Sequence, residues 1–190
     1  EITLVGHSMG GQIAMHVVLD EVAAVEKLVL LAPAGFEVFT DQEKAWFKAV
    51  LTPAVVKATP EAQIIKNFEI NFFEMPEDAR FMIADRLAMR AIADYDAYCE
   101  MIPKCVNGML EQPVFEQLPS ISVPTLVMYG EADALIPNRI LHPTLTPVAV
   151  AEKGQALIPN SKLVMVPKAG HFVQWDGASV VNEAIKKFIE

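Results

Sequence analysis

A chain of 190 residues, 53% apolar and 21% charged, has enough hydrophobic material for a real core, so it reads as a single soluble globular domain and not as a disordered segment. Its 24 acidic residues outnumber 15 basic ones, and the net charge of -9, with no local Lys/Arg cluster, is the wrong sign for a phosphate-tracking nucleic-acid binder. Apolar runs end long before the roughly 20 residues a bilayer crossing needs, so no membrane span is expected.

The chain opens at Glu1 directly into Ile2-Thr3-Leu4-Val5, an apolar run closed by Gly6 that predicts a parallel strand covered on both faces. Such a strand lies inside a sheet, so the sequence is expected to begin within a fold. The opening carries no signal-peptide pattern and leaves the compartment open, the cytoplasm being the expectation. Met9 to Asp20, dense in Ile13, Ala14, Met15, Val17, Val18 and Leu19, predicts a helix buried nearly all round, and Lys27 to Leu31 predicts a second strand.

From Phe36 to Pro119 helix starts replace strand signals. Thr40-Asp41-Gln42-Glu43 fits a capping box, Thr59-Pro60 sets a cap residue before a proline at the first helical position, and Asp94 is placed to cap a further helix. About four helices are expected, the last broken or kinked at Pro103, which lacks a backbone donor. Thr125 to Tyr129 and Lys162 to Val166 predict two more strands with a helix near Pro147 to Leu157 between them. A terminal helix sets Val180, Val181, Ala184, Ile185 and Phe188 on one face and Asn182, Glu183, Lys186 and Lys187 on the other. Alternating strand and helix predicts a parallel α/β core over 1–35 and 120–190, with an all-helical cap inserted over 36–119 after the second strand.

Cys99 and Cys105 match neither a CxxC pair nor a zinc knuckle and read as free buried thiols; His7, His16, His142 and His171 lack HxH or HExxH spacing, so neither a metal nor a cofactor is expected. Gly6-His7-Ser8-Met9-Gly10 matches G-x-S-x-G between a predicted strand and a predicted helix, the setting in which that motif projects a serine hydroxyl from a sharp turn. The turn is expected to leave no room for side chains at Gly6 and Gly10, with Gly11 extending the clearance.

With these residues the sequence resembles the α/β-hydrolase superfamily, in particular its serine hydrolases with a helical cap. The resemblance spans essentially all residues and implies that the four strands correspond to strands five to eight of the family's sheet, so that the chain is a partial α/β-hydrolase fold. It also implies the order nucleophile, acid, histidine. Gly130-Glu131-Ala132-Asp133 follows the third visible strand and Ala169-Gly170-His171-Phe172 the fourth. On this resemblance Ser8 is the nucleophile, His171 its base and Asp133 the acid that orients the base, while the Met9 amide at a helix N-terminus donates to the oxyanion. The competing readings are an ordinary turn for Ser8, His142 as the base, and Glu131 in place of Asp133. His7 and His16 are read as bystanders.

Phe68, Phe72, Phe73, Phe81, Met82 and Met89 either line a substrate pocket or, as the commoner role, fill a core. Arg86 and Arg90, one helical turn apart, form either a carboxylate site or a solvated face. Asp176 is read as the first-turn acid of the last helix, replacing the Glu-x-Pro often found there.

The family's first four strands, and the loop that donates the second oxyanion amide, have no counterpart here. The chain is therefore expected to be the C-terminal two-thirds of a longer enzyme whose N-terminal segment completes the sheet, and to be weakly active or inactive alone, since losing one oxyanion donor costs on the order of 100- to 1000-fold. The implied function is cleavage of an ester or related acyl bond in a small, partly apolar substrate. Alternatives are carbon-carbon bond hydrolysis of ring-cleavage products, a related acyl transfer, or a non-catalytic binding protein of this fold.

Overall fold

Four short runs of Val, Leu, Ile and Met pair side by side into one parallel sheet in the computed structural model, which describes residues 2–20 and 24–190. The strands are β1 (Ile2–His7), β2 (Val25–Leu31), β3 (Thr125–Gly130) and β4 (Ser161–Val166), in the order β1-β2-β3-β4. Because strand side chains alternate, Leu28, Leu30, Val127 and Tyr129 face one hydrophobic core while Val29, Leu31, Leu126 and Met128 face a second on the opposite side. Strand β3, flanked on both edges, is buried along its whole length.

Among the described residues β1 pairs only with β2, and Ile2 and Val5 are each 49% exposed, so within these residues the strand has one unpaired edge and is incompletely covered. The helix that follows, α1 (Met9–Leu19), buries Gly11, Gln12, Ala14, Met15 and Val18 against the sheet but turns Ile13 outward, so its burial is one-sided.

The chain divides into two compact units. The first holds the described residues up to Val38, then Asn71–Phe73 and Pro113–Glu190. Here α7 (Pro147–Gln155) and α1 share the core of Phe36, Val127 and Tyr129, while the short α8 (Val173–Asp176) and the terminal α9 (Ala178–Ile189) cover the other face through Val173 and Val181. On α9, Ala184, Ile185 and Phe188 pack at the rim as the periodicity predicts, but Val180 is exposed, which narrows the apolar stripe. Lys27 Nζ closes α9 by donating to the carbonyls of Phe188 (3.0 Å) and Ile189 (2.8 Å).

The second unit, Phe39–Ile70 and Glu74–Gln112, contains α2 (Asp41–Val50), α3 (Pro53–Ala58), α4 (Glu61–Glu69), α5 (Phe81–Ala88) and α6 (Tyr95–Glu111). Thr40 heads α2 in a complete capping box: its Oγ1 accepts from the Glu43 amide and the Glu43 carboxylate accepts from the Thr40 amide. Thr40→Ala is expected to destabilise this unit by about 1 kcal/mol, seen as faster amide exchange along α2.

Thr59-Pro60 does not cap α4. The Thr59 hydroxyl instead donates to the Val55 carbonyl at the end of α3, while Thr52-Pro53 makes the predicted arrangement, with Thr52 Oγ1 accepting from Val55 N. Asp94 stands at the N-cap position of α6 without a side-chain capping bond. Of the break or kink predicted at Pro103, the break does not occur: α6 continues through it. Both flanks of the proline are held, by Tyr95 and Cys99 packed with Val56, Tyr98 and Ile102 on one side and by buried Leu110 and the Lys48–Glu111 ion pair on the other. Packing here outweighs a local cost of about 3 kcal/mol. Both cysteines are free, but only Cys99 is buried; Cys105 is half-buried with its Sγ 3.4 Å from Met101 Sδ. Among the described residues no helix is long and apolar enough to cross a membrane.

Candidate active site

Three loops leave the same ends of three parallel strands, Ser8 after β1, Asp133 after β3 and His171 after β4. Their side chains meet. His171 Nδ1 lies 2.8 Å from Asp133 Oδ2, and since a carboxylate only accepts, Nδ1 carries the proton and leaves Nε2 bare. That nitrogen lies 2.9 Å from Ser8 Oγ and accepts its hydroxyl proton. Asp133 is fully buried and His171 is 3% exposed.

Ser8 sits at φ 54°, a region non-glycine residues rarely adopt and which costs about 1–3 kcal/mol. Its backbone is over-determined: Ser8 N donates to the Leu31 carbonyl, and the Ser8 carbonyl accepts from the amides of Gly11 (2.9 Å), Gln12 (3.3 Å) and Ala34 (2.9 Å). A Cβ on Gly6 would collide with the Gly10 carbonyl, and one on Gly11 would lie 2.8 Å from Pro33 Cβ. Gly10 does not share this constraint. Among the described residues nothing lies within 4 Å of a Cβ placed there, so the predicted lack of room holds on the strand side and at Gly11 only. The Met9 amide is the first of α1, one of the amides a helix leaves without an intrahelical acceptor.

Asp133 is held by its own loop. Asp133 Oδ1 accepts from the amides of Leu135 (2.8 Å) and Ile136 (3.0 Å), and the Asp133 carbonyl accepts from Arg139 Nη2 at 2.8 Å. Glu131 is exposed. His142 is engaged elsewhere, its Nδ1 lying 2.5 Å from Glu37 Oε1.

The loop carrying His171 is pinned on both sides of that residue. Gly170 N donates to Asp176 Oδ2 at 2.7 Å, and Phe172 N donates to the Asn71 carbonyl at 2.8 Å. The same Asp176 oxygen accepts from Phe73 N at 2.7 Å. Asp176 is thus not the first-turn acid of the last helix, which starts at Ala178 behind Gly177; it ties the histidine loop to residues 71–73. His7, read as a bystander, touches the same loop. Its Nε2 is 2.9 Å from the His171 carbonyl, its ring centroid lies 4.8 Å from that of His171, and burial pushes its pKa below the ordinary value against the opposing effect of that hydrogen bond. Only its place beside Ser8 in the motif hinted at this.

Of the six cap aromatics and methionines singled out, Phe72 alone is buried, set edge-on to Phe172 and Trp175; Phe73 and Phe81 are 53% exposed, so core filling does not account for them. Arg86 is not on a solvated face. It is 8% exposed, with its guanidinium 4.5 Å above the Tyr98 ring, donating to Tyr95 Oη at 3.2 Å, while Nη1 has no hydrogen-bond partner among the described residues; Arg90 is exposed.

Known proteins share this arrangement of strands. Two solved structures superpose closely: MenH from S. aureus, with a TM-score of 0.75 at 21% identity over 100% of this chain and 68% of that one, and the esterase EaEST from Exiguobacterium antarcticum, with 0.72 at 24% over 98% and 66%. Among curated proteins, the uncharacterized hydrolase YugF of Bacillus subtilis (strain 168) is 25% identical across all of this chain and 66% of its own length. The 2-hydroxy-6-oxononadienedioate/2-hydroxy-6-oxononatrienedioate hydrolase of Comamonas testosteroni is 26% identical over 98% of the chain and 62% of its own length. The chain spans just under two-thirds of these curated relatives. The family model described as serine aminopeptidase, S33, matches residues 1–161, and with a parallel sheet whose strand ends gather Ser8, Asp133 and His171, the chain belongs to this family of the α/β-hydrolase superfamily.

Proposed function

We propose that this chain supplies the catalytic part of a serine hydrolase that cleaves an ester or related acyl bond of a small, partly apolar substrate. The observation that carries the reading is the pair of hydrogen bonds from Ser8 to His171 (2.9 Å) and from His171 to Asp133 (2.8 Å). A serine hydroxyl is a weak nucleophile until a base takes its proton. In the proposed reaction Ser8 Oγ attacks the substrate carbonyl as its proton passes to His171 Nε2, and the negative Asp133 stabilises the imidazolium. The Met9 amide donates to the oxyanion. His171 then returns the proton to the leaving oxygen, leaving an acyl-enzyme on Ser8. Water, deprotonated by the same nitrogen, attacks the acyl carbon, releasing the acid and restoring Ser8.

The exposed edge of β1, with Ile2 and Val5 half-uncovered, supports a further proposal: additional strands of the same polypeptide pair with β1 and bring the second oxyanion donor. Carbon-carbon bond hydrolysis is the second reading. It is favoured by the relative from Comamonas testosteroni and by the 2-hydroxy-6-oxo-6-phenylhexa-2,4-dienoate hydrolase of Burkholderia cepacia, 25% identical over 98% of this chain.

The test is labelling of the intact protein by a fluorophosphonate, followed by peptide mapping. A single adduct on Ser8 is expected. No adduct, or one on another serine, overturns the catalytic reading and favours a binding protein of this fold.

A further inference from the structure

We propose that His7 is a positioning residue: its Nε2–H grips the main-chain carbonyl of His171 and so keeps the catalytic imidazole in line between Ser8 and Asp133. The inference rests on the serine-hydrolase reading of the site and adds a group outside the three residues that carry it.

The chemistry of the contact fixes its polarity. A carbonyl oxygen accepts and never donates, so at 2.9 Å the His7 Nε2 must bear the hydrogen; the neutral ring then has a bare Nδ1. Burial favours that neutral form, which keeps a second positive charge away when the His171 ring, 4.8 Å away, becomes an imidazolium. The contact joins residues 164 apart in the chain.

The catalytic imidazole is held at both nitrogens, at 2.8 and 2.9 Å, and hydrogen bonds weaken within a few tenths of an ångström or a few tens of degrees of their optimum. Its backbone must therefore be fixed as well. Loop residue Lys168 already departs from the usual backbone regions at φ 53°, so nothing regular in the chain fixes the turn. Two peptide groups flanking His171 are held by three separate elements: the 169–170 peptide through the Gly170 amide by Asp176, and the 171–172 peptide on both sides, its Phe172 amide by the Asn71 carbonyl and its His171 carbonyl by His7. The last of these comes from the residue bonded to the nucleophile. One hydrogen bond thereby references the base directly to the serine it deprotonates, and lateral drift of either moves both. The His7 ring also lies 5.4 Å from Phe172, which limits its own rotation.

Two substitutions separate this role from simple ring packing. His7→Phe keeps the volume and loses the donor. His7→Gln loses the ring but puts an amide N–H near the position of Nε2. With the intact protein and a fluorophosphonate as the probe, His7→Phe is expected to lower the maximal inactivation rate about 10- to 100-fold with the inhibitor's binding constant unchanged within about 2-fold, as expected for a misplaced base. His7→Gln is expected to recover most of the rate. Equal losses in the two variants, or a loss confined to binding, overturn the proposal.

A measurement on the unaltered protein guards against misfolded variants. Two-bond nitrogen-proton NMR correlations are expected to show His7 as the Nε2–H tautomer, and the Nδ1–H tautomer overturns the proposal. Ser8→Ala separates the two layers of the argument: persistence of labelling in that variant ends the serine-hydrolase reading, whereas the His7 tautomer is read independently of it.

Discussion

Ser8→Ala is expected to lower turnover of an activated ester about 10⁶-fold in the intact protein, and Asp133→Asn about 10⁴-fold, each with little change in thermal stability. The first removes the attacking oxygen outright. The second is subtler, because the volume stays the same. The Asp133 Oδ2 now accepts the His171 Nδ1 proton at 2.8 Å, while Oδ1 takes the amides of Leu135 and Ile136. An asparagine keeps its oxygen on those two amides and presents an NH₂ to His171. The imidazole must then accept at Nδ1 and carry its proton at Nε2, where Ser8 needs a base. Parallel measurements of kcat/KM and melting temperature check this. Retention of more than about a tenth of the activity in Asp133→Asn would remove this carboxylate from the mechanism.

The second large effect lies in the scaffold. Gly130 ends β3 against the histidine loop, and a Cβ there would collide with the carbonyl oxygens of both Ala169 and Gly170. Neither is a flexible side-chain tip; both are backbone, and the Ala169 carbonyl also accepts from Ala132 N at 2.9 Å, within the loop that delivers Asp133. Gly130→Ala is expected to destabilise the protein by about 4 kcal/mol, a fall of about 10 °C in melting temperature for a chain of this size, and to depress activity because the displaced peptides precede His171. Gly108→Ala is the control. It lies within α6 with nothing within 4 Å of the added carbon among the described residues, and is expected to raise stability by up to about 1 kcal/mol.

The architecture was legible in the sequence because strand signals depend on neighbours in the chain. Lys27–Leu31, Thr125–Tyr129 and Lys162–Val166 each fall inside an observed strand, and Thr40 caps α2 as its spacing predicts. Placing Ser8, Asp133 and His171 beyond three strand ends rested on the resemblance to the α/β-hydrolase superfamily, whose order of nucleophile, acid and histidine could be laid onto the predicted strands. What stayed hidden depends on how the chain turns back on itself, whether across the 164 residues between His7 and His171 or the 6 between Gly170 and Asp176. Nothing near His7 or Asp176 announces that their polar atoms serve the His171 loop, and nothing near Arg86 announces the Tyr95 and Tyr98 rings. Local competition explains other misses. Thr52 and Thr59 both precede proline, but the Thr59 hydroxyl is taken by the helix behind it. Pro103 shows the reverse, a local penalty overruled by packing on both flanks.

Residues Asn71–Phe73 belong to the sheet-bearing unit although the chain on either side of them belongs to the helical one. Fastened by Asp176 and the Phe172 amide, they turn one long excursion into two shorter loops, each cheaper in configurational entropy to close. The fastening also makes the 171–172 peptide a junction of the polypeptide, the point at which the closure of both loops is set.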